Sequence, residues 1–151
     1  MKYPLIITTL LLSLLRCSNF STEPITVNTP ILLGIQPNGK GGHLLEVATQ
    51  NVGVGFAGYR LFTGSTEEQA RTAVESSGIA CSWPLTTVPN QGISYFIEVQ
   101  ANIPPPVAGT NRLCSVPVNL VTGSWVALRA LYYRDILNIA SGSSSNALPV
   151  P

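Results

Sequence analysis

From residue 31 onward, apolar side chains recur at alternate positions in short runs, and clusters of Gly, Pro, Asn and Ser interrupt them. Alternation with a period of two marks strands that bury one face. The first run is 31–36, closed by the turn Pro37-Asn38-Gly39-Lys40-Gly41-Gly42. The second is 43–49, with Leu45, Val47 and Thr49 on one face. The third, 58–63, sets Tyr59, Leu61 and Thr63 against Arg60 and Phe62. Further runs cover 93–100, 113–120, 125–133 and 147–150. One segment has a helical period instead. Ser65-Thr66-Glu67-Glu68 has the form of a capping box, with Ser65 as N-cap. Ala70, Ala73 and Val74 share a face, Glu67–Arg71 and Arg71–Glu75 lie four apart, and Gly78 is placed to end the helix. The serine-rich 141–146 stretch reads as a flexible loop. Many short strands at regular spacing with one short inserted helix predict an all-β sandwich.

The first residues follow another rule. Lys2 precedes the apolar run 5–15 (LIITTLLLSLL), which is too short to cross a hydrocarbon core of roughly 30 Å as a helix. This is the form of an export signal. The run ends in Leu14-Leu15-Arg16-Cys17, which resembles a bacterial lipobox of the relaxed kind found in spirochaetes. The resemblance implies cleavage before Cys17, with a diacylglyceryl group on its thiol and a palmitate-type chain on the new amine. The alternative is an ordinary secretory signal with an incidental cysteine. The expected organisation is a signal peptide over 1–16, a lipidated Cys17 with a flexible tether over 17–30, and one domain over 31–151. That places the chain in the cell envelope, lipid-anchored in the outer membrane and facing the periplasm or the cell surface.

Composition narrows the function. Hydrophobic residues make up 45% of the chain and charged ones 10%, enough to bury a core and too few charges for a disordered chain. From Cys17 onward six basic side chains face seven acidic ones. Such a balance offers no concentrated positive surface for nucleic acid. Three cysteines leave one over in an exported protein. If Cys17 carries lipid, Cys81 and Cys114 remain as a disulfide, or as two separate buried thiols.

Two stretches resemble bacterial fibronectin type III domains, a branch of the immunoglobulin-like sandwiches. Gly58-Tyr59-Arg60-Leu61-Phe62-Thr63-Gly64-Ser65-Thr66 is similar to that family's third strand and following turn. Ser124-Trp125-Val126-Ala127-Leu128-Arg129-Ala130 is similar to its sixth strand, with Ser124 where the corner tyrosine would fall. The resemblance implies a spacer or recognition module without naming a ligand.

Candidate chemistry is sparse. Gly53, Gly55 and Gly58 spell GxGxxG, but they lead into a strand, whereas a dinucleotide loop must open a helix. His43 and Asp135 are the only His and Asp, far apart in sequence, and no G-x-S-x-G elbow is present. His43 reads as a strand-initiating residue, and Glu67-Glu68 suit a helix N-terminus. No metal-ligand set is legible. The expectation is a non-enzymatic protein without cofactor. Its possible binding surface is Trp83-Pro84 and the stiff Pro104-Pro105-Pro106 run. Trp125, Tyr132 and Tyr133 form a second aromatic group, better suited to the core or a sheet edge. Two roles follow: a lipid-anchored binding or adhesion module for a protein or host ligand, or a structural accessory lipoprotein of an envelope assembly.

Overall fold

The computed structural model describes residues 27–51, 55–82, 85, 89, 93–103 and 111–151. Among these residues nine strands, β1 (Ile31–Pro37), β2 (His43–Ala48), β3 (Phe56–Gly64), β4 (Ile79–Ala80), β5 (Ser94–Val99), β6 (Arg112–Val116), β7 (Trp125–Tyr133), β8 (Ile139–Ser144) and β9 (Leu148–Pro149), form two sheets. One sheet has the order β1-β2-β5-β6, the other β4-β3-β7-β8, with β9 paired to the start of β7. The chain is an all-β sandwich, with one short helix among the described residues, α1 (Glu67–Thr72). Inward side chains of both sheets, among them Leu45, Val47, Ile97, Val99, Tyr59, Leu61, Val126 and Leu128, make a single core. They come from alternate positions, as the pleat requires.

Both open sides of the sandwich are cross-linked. On one side, β4 hangs on β3 through Arg60↔Ala80 and Leu61↔Ile79, and the Cys81 amide continues the ladder to the Tyr59 carbonyl. The next residue crosses over, with the Ser82 amide donating to the Ser115 carbonyl of β6 at 2.8 Å. A disulfide between Cys81 and Cys114 fixes that crossing, with Cα atoms 5.6 Å apart. On the other side, the Asn146 carboxamide serves the edge of β1. It accepts from the Leu32 amide and donates to the Leu32 carbonyl, each at 2.9 Å.

Several elements differ from the sequence reading. The helix N-cap is Thr66, one residue beyond Ser65. Its hydroxyl accepts from the Gln69 amide, and the Gln69 side chain turns back to the Ser65 amide and hydroxyl. The helix ends at Ala73 rather than near Gly78, and Val74 is exposed. Gly78 follows a 3₁₀ turn (Glu75–Ser77) with an ordinary negative φ. It is glycine because a Cβ there would stand 2.5 Å from the Arg60 and Phe62 side chains. The strand expected over 113–120 stops at Val116 and pairs parallel with β5. Residues 141–144, read as loop, belong to β8 and pair with β7.

Of the four described residues of the expected tether, Val27, Asn28 and Pro30 are held to the domain. Pro30 is fully buried, Val27 touches the core, and Asn28 and Asn51 exchange hydrogen bonds of 2.9 and 3.1 Å.

Candidate interaction surface

Phe62 points away from the inter-sheet core, yet it is fully buried. The helix covers it. Ala70 packs on Ala127 and Ala147 with Trp125 beside them, and a Cβ on Gly64 would lie 2.5 Å from the Ala70 amide nitrogen, so the helix rests directly on the end of β3. Arg129 of β7 completes the cover. Its guanidinium lies 4.2 Å from the Phe62 ring centre, donates to the Arg71 and Ala73 carbonyls at 2.7 and 2.8 Å, and pairs with Glu75 at 2.6 Å. Glu75 also takes Arg60 at 2.9 Å and the Ser141 hydroxyl at 2.5 Å. Partial burial would raise the Glu75 carboxyl. The Ser141 and Arg129 hydrogen bonds, with the charges of Arg129 and Arg60, outweigh it and hold the group below its ordinary value. This carboxylate is spent on binding the helix to the sheet.

A second polar cluster lies inside. The Tyr59 hydroxyl shares a 2.7 Å hydrogen bond with Thr49, and the Asn51 amide donates to both. Burial drives the Tyr59 pKa up to about 12, against smaller lowering effects from Asn51 and Thr49. This knot ties the end of β2 to β3, and through Asn51 it holds Asn28.

Uncovered apolar side chains gather at that same end of the sandwich. On the outer face of β1-β2-β5, Ile31, Leu33 and Ile93 are about half exposed and line an open groove of about 530 Å³ with Glu46, Ala48 and Ser94. At the β7–β8 turn, Ile136 and Leu137 are 94% and 90% exposed, flanked by Tyr133 and Ile139. The turn itself is well tied. Asp135 accepts from the Leu137 and Asn138 amides and from the Asn138 side chain, all at 2.8–2.9 Å, and the Arg134 amide donates to the Asn138 carbonyl. The Asn138 side chain, then the Leu137 amide, hold the Asp135 carboxyl below its ordinary value. The Tyr133 amide donates to the Gly55 carbonyl at 2.7 Å, joining this turn to the β2–β3 connection. A second depression of about 500 Å³ between α1 and β8 is lined by polar residues, including Glu67, Arg71 and Ser143.

Of the residues singled out in the sequence, Cys81 and Cys114 are brought together as a disulfide. Cys17, Trp83, Pro84, Pro104, Pro105 and Pro106 lie outside the described residues. His43 begins β2 beside the β1–β2 turn, while Asp135 sits at the opposite end. Among the described residues no three His, Cys, Asp or Glu side chains converge as metal ligands. The tip Ile136-Leu137 was not foreseen. Two large aliphatic residues between Asp135 and Asn138, where turns are usually polar, were the available signal. No family model, curated protein or solved structure matches the chain.

Proposed function

We propose that this chain is an exported, lipid-anchored cell-envelope protein whose single domain is a non-enzymatic binding module of fibronectin type III-like build. Export and the anchor rest on the 5–15 apolar run and Cys17. The fibronectin-like reading is supported by strand distribution. Immunoglobulin-like sandwiches put their first, second and fifth strands in one sheet and their third, sixth and seventh in the other. Here β1, β2 and β5 face β3, β7 and β8, with β6 an addition at the edge of the first sheet. The two stretches that resemble the family fall on β3 and β7, which are paired neighbours with Tyr59 opposite Ala130.

The binding role is carried by the concentration of uncovered apolar side chains at one end of a rigid, cross-linked scaffold. The Glu75 carboxylate is engaged with the Ser141 hydroxyl and with Arg129 in holding the helix to the sheet. Detergent-phase partitioning tests the anchor. The native chain goes to the detergent phase and Cys17→Ser to the aqueous phase; equal partitioning of the two refutes it. Affinity capture from intact cells tests the binding role. Ile31→Asp and Leu33→Asp lose a ligand that the native domain retains, and retention unaltered by both refutes the groove as its site.

A further inference from the structure

The β7–β8 turn is an unusual object for a surface loop. Its two central side chains are aliphatic and almost wholly in solvent, with Tyr133 and Ile139 continuing the apolar surface below them. Its backbone is nevertheless fixed by one carboxylate, which satisfies two amides and an amide side chain. A turn held this way loses little conformational entropy when its tip is buried in something else. Arg134 stands beside it, an exposed cation on a stem able to lie along apolar surface while its head reaches an anionic group. Aliphatic tip, tyrosine collar and flanking arginine are the chemistry of a contact with a bilayer interface.

The place where the chain enters the domain says which surface this is. Val27 packs on β8 at Gly142, where a Cβ would meet its side chain at 3.3 Å. Gly142 is three residues along the strand from Ile139, about 10 Å. About ten residues separate Val27 from Cys17, a reach of at most about 35 Å. A lipid on Cys17 and the tip of the β7–β8 turn can therefore occupy the same plane. We propose that Ile136 and Leu137 insert into the membrane that holds the chain's own lipid anchor, giving the domain a second contact and a fixed orientation. The inference rests on the anchor reading of Cys17. Two aliphatic side chains bind a bilayer weakly alone, but an anchored chain presents them at high effective concentration.

The test uses the lipidated full chain in vesicles of equal parts phosphatidylethanolamine and phosphatidylglycerol, some carrying brominated acyl chains. A fluorophore sits on Leu137→Cys or, for comparison, on Val121→Cys, which is exposed near the chain's C-terminal end at the far end of the sandwich. Brominated lipid should quench the Leu137 probe several-fold more than the Val121 probe. Adding Ile136→Asp, a change at a solvent position, should bring the two level. Equal quenching in vesicle-bound protein overturns the proposal, as does a Leu137 probe that only a partner protein shields. A chain that partitions to the aqueous phase in detergent fails earlier, at the anchor.

Discussion

Replacing Arg129 with methionine keeps the stem that covers Phe62 and removes the charge. Lost with it are the 2.6 Å pair to Glu75, two hydrogen bonds to helix-end carbonyls, and the contact with the Phe62 ring. The carbonyl bonds are worth about 1 kcal/mol each and the ring contact about 0.5–1 kcal/mol. The ion pair contributes about 1 kcal/mol, reduced because Glu75 is half exposed. Relief of the desolvation of a mostly buried guanidinium returns roughly 1 kcal/mol, so Arg129→Met should cost about 2–3 kcal/mol. In a domain of this size that lowers Tm by on the order of 10 °C. Arg129→Lys keeps the charge without the fork and should fall between the two. Urea unfolding measures the cost, and its pH dependence separates the parts. The folded Glu75 carboxyl titrates below its ordinary value of 4.5. Its pairing therefore stabilises fully above that value and fades as pH falls through the folded pKa. The gap between native and Arg129→Met should narrow in acid without closing, because the carbonyl contacts do not titrate. A gap below about 0.5 kcal/mol at neutral pH, or one that acid leaves unchanged, refutes the account.

Four further outcomes follow from the same structure. Cys114→Ala should destabilise the oxidised protein by roughly 2–4 kcal/mol, with the Cys81→Ala, Cys114→Ala double variant no worse, as read by chemical denaturation; two titratable thiols in unreduced, unfolded protein would show the bond absent. Tyr59→Phe should cost about 1–2 kcal/mol by leaving Thr49 and Asn51 short of a partner, and a cost near zero would mean that the knot carries no stability. Native stability should also fall above pH 10, since the tyrosine must stay neutral up to about 12 in the folded state; thermal midpoints across that range lack this component in Tyr59→Phe. Removing residues 18–26 should leave Tm unchanged, whereas extending the deletion through Pro30 should lower it by several degrees, because only the second cut removes the Asn28–Asn51 clip and buried Pro30.

Strands facing a core on one side announce themselves, so β1, β2 and β5 were legible from alternation, while β7, covered on both faces, showed as a near-continuous apolar run. β8 was not, because Ile139–Ser144 contains three serines and a glycine; its strand state comes from pairing with β7. A two-residue strand such as β4 carries no period at all. Phe62 obeys the alternation yet is buried, because the helix folds back over the face that period two assigns to solvent. The cap slipped by one residue where two adjacent hydroxyls, Ser65 and Thr66, compete for one role. Arg71–Glu75 looked like a helical pair, but the helix stops at Ala73, which frees Glu75 for Arg60 and Arg129, 15 and 54 residues distant. Two spare cysteines suggested the disulfide; nothing local could tell that it would join opposite sheets. The apolar tip lies outside every strand the alternation marks, and the fold shows how nearly complete its exposure is.

The carboxamide of Asn146 has a consequence for how copies of this protein can meet. An unpaired strand edge is a template on which another chain can add a strand of its own, and growth by that route is open-ended. At Leu32 both hydrogen-bonding groups of the β1 edge are already occupied by a side chain from the same molecule. A neighbouring strand would have to displace two good hydrogen bonds before forming any of its own there. The amide therefore blocks strand addition at this point of the β1 edge, so a copy that pairs there must first break the Asn146 contacts.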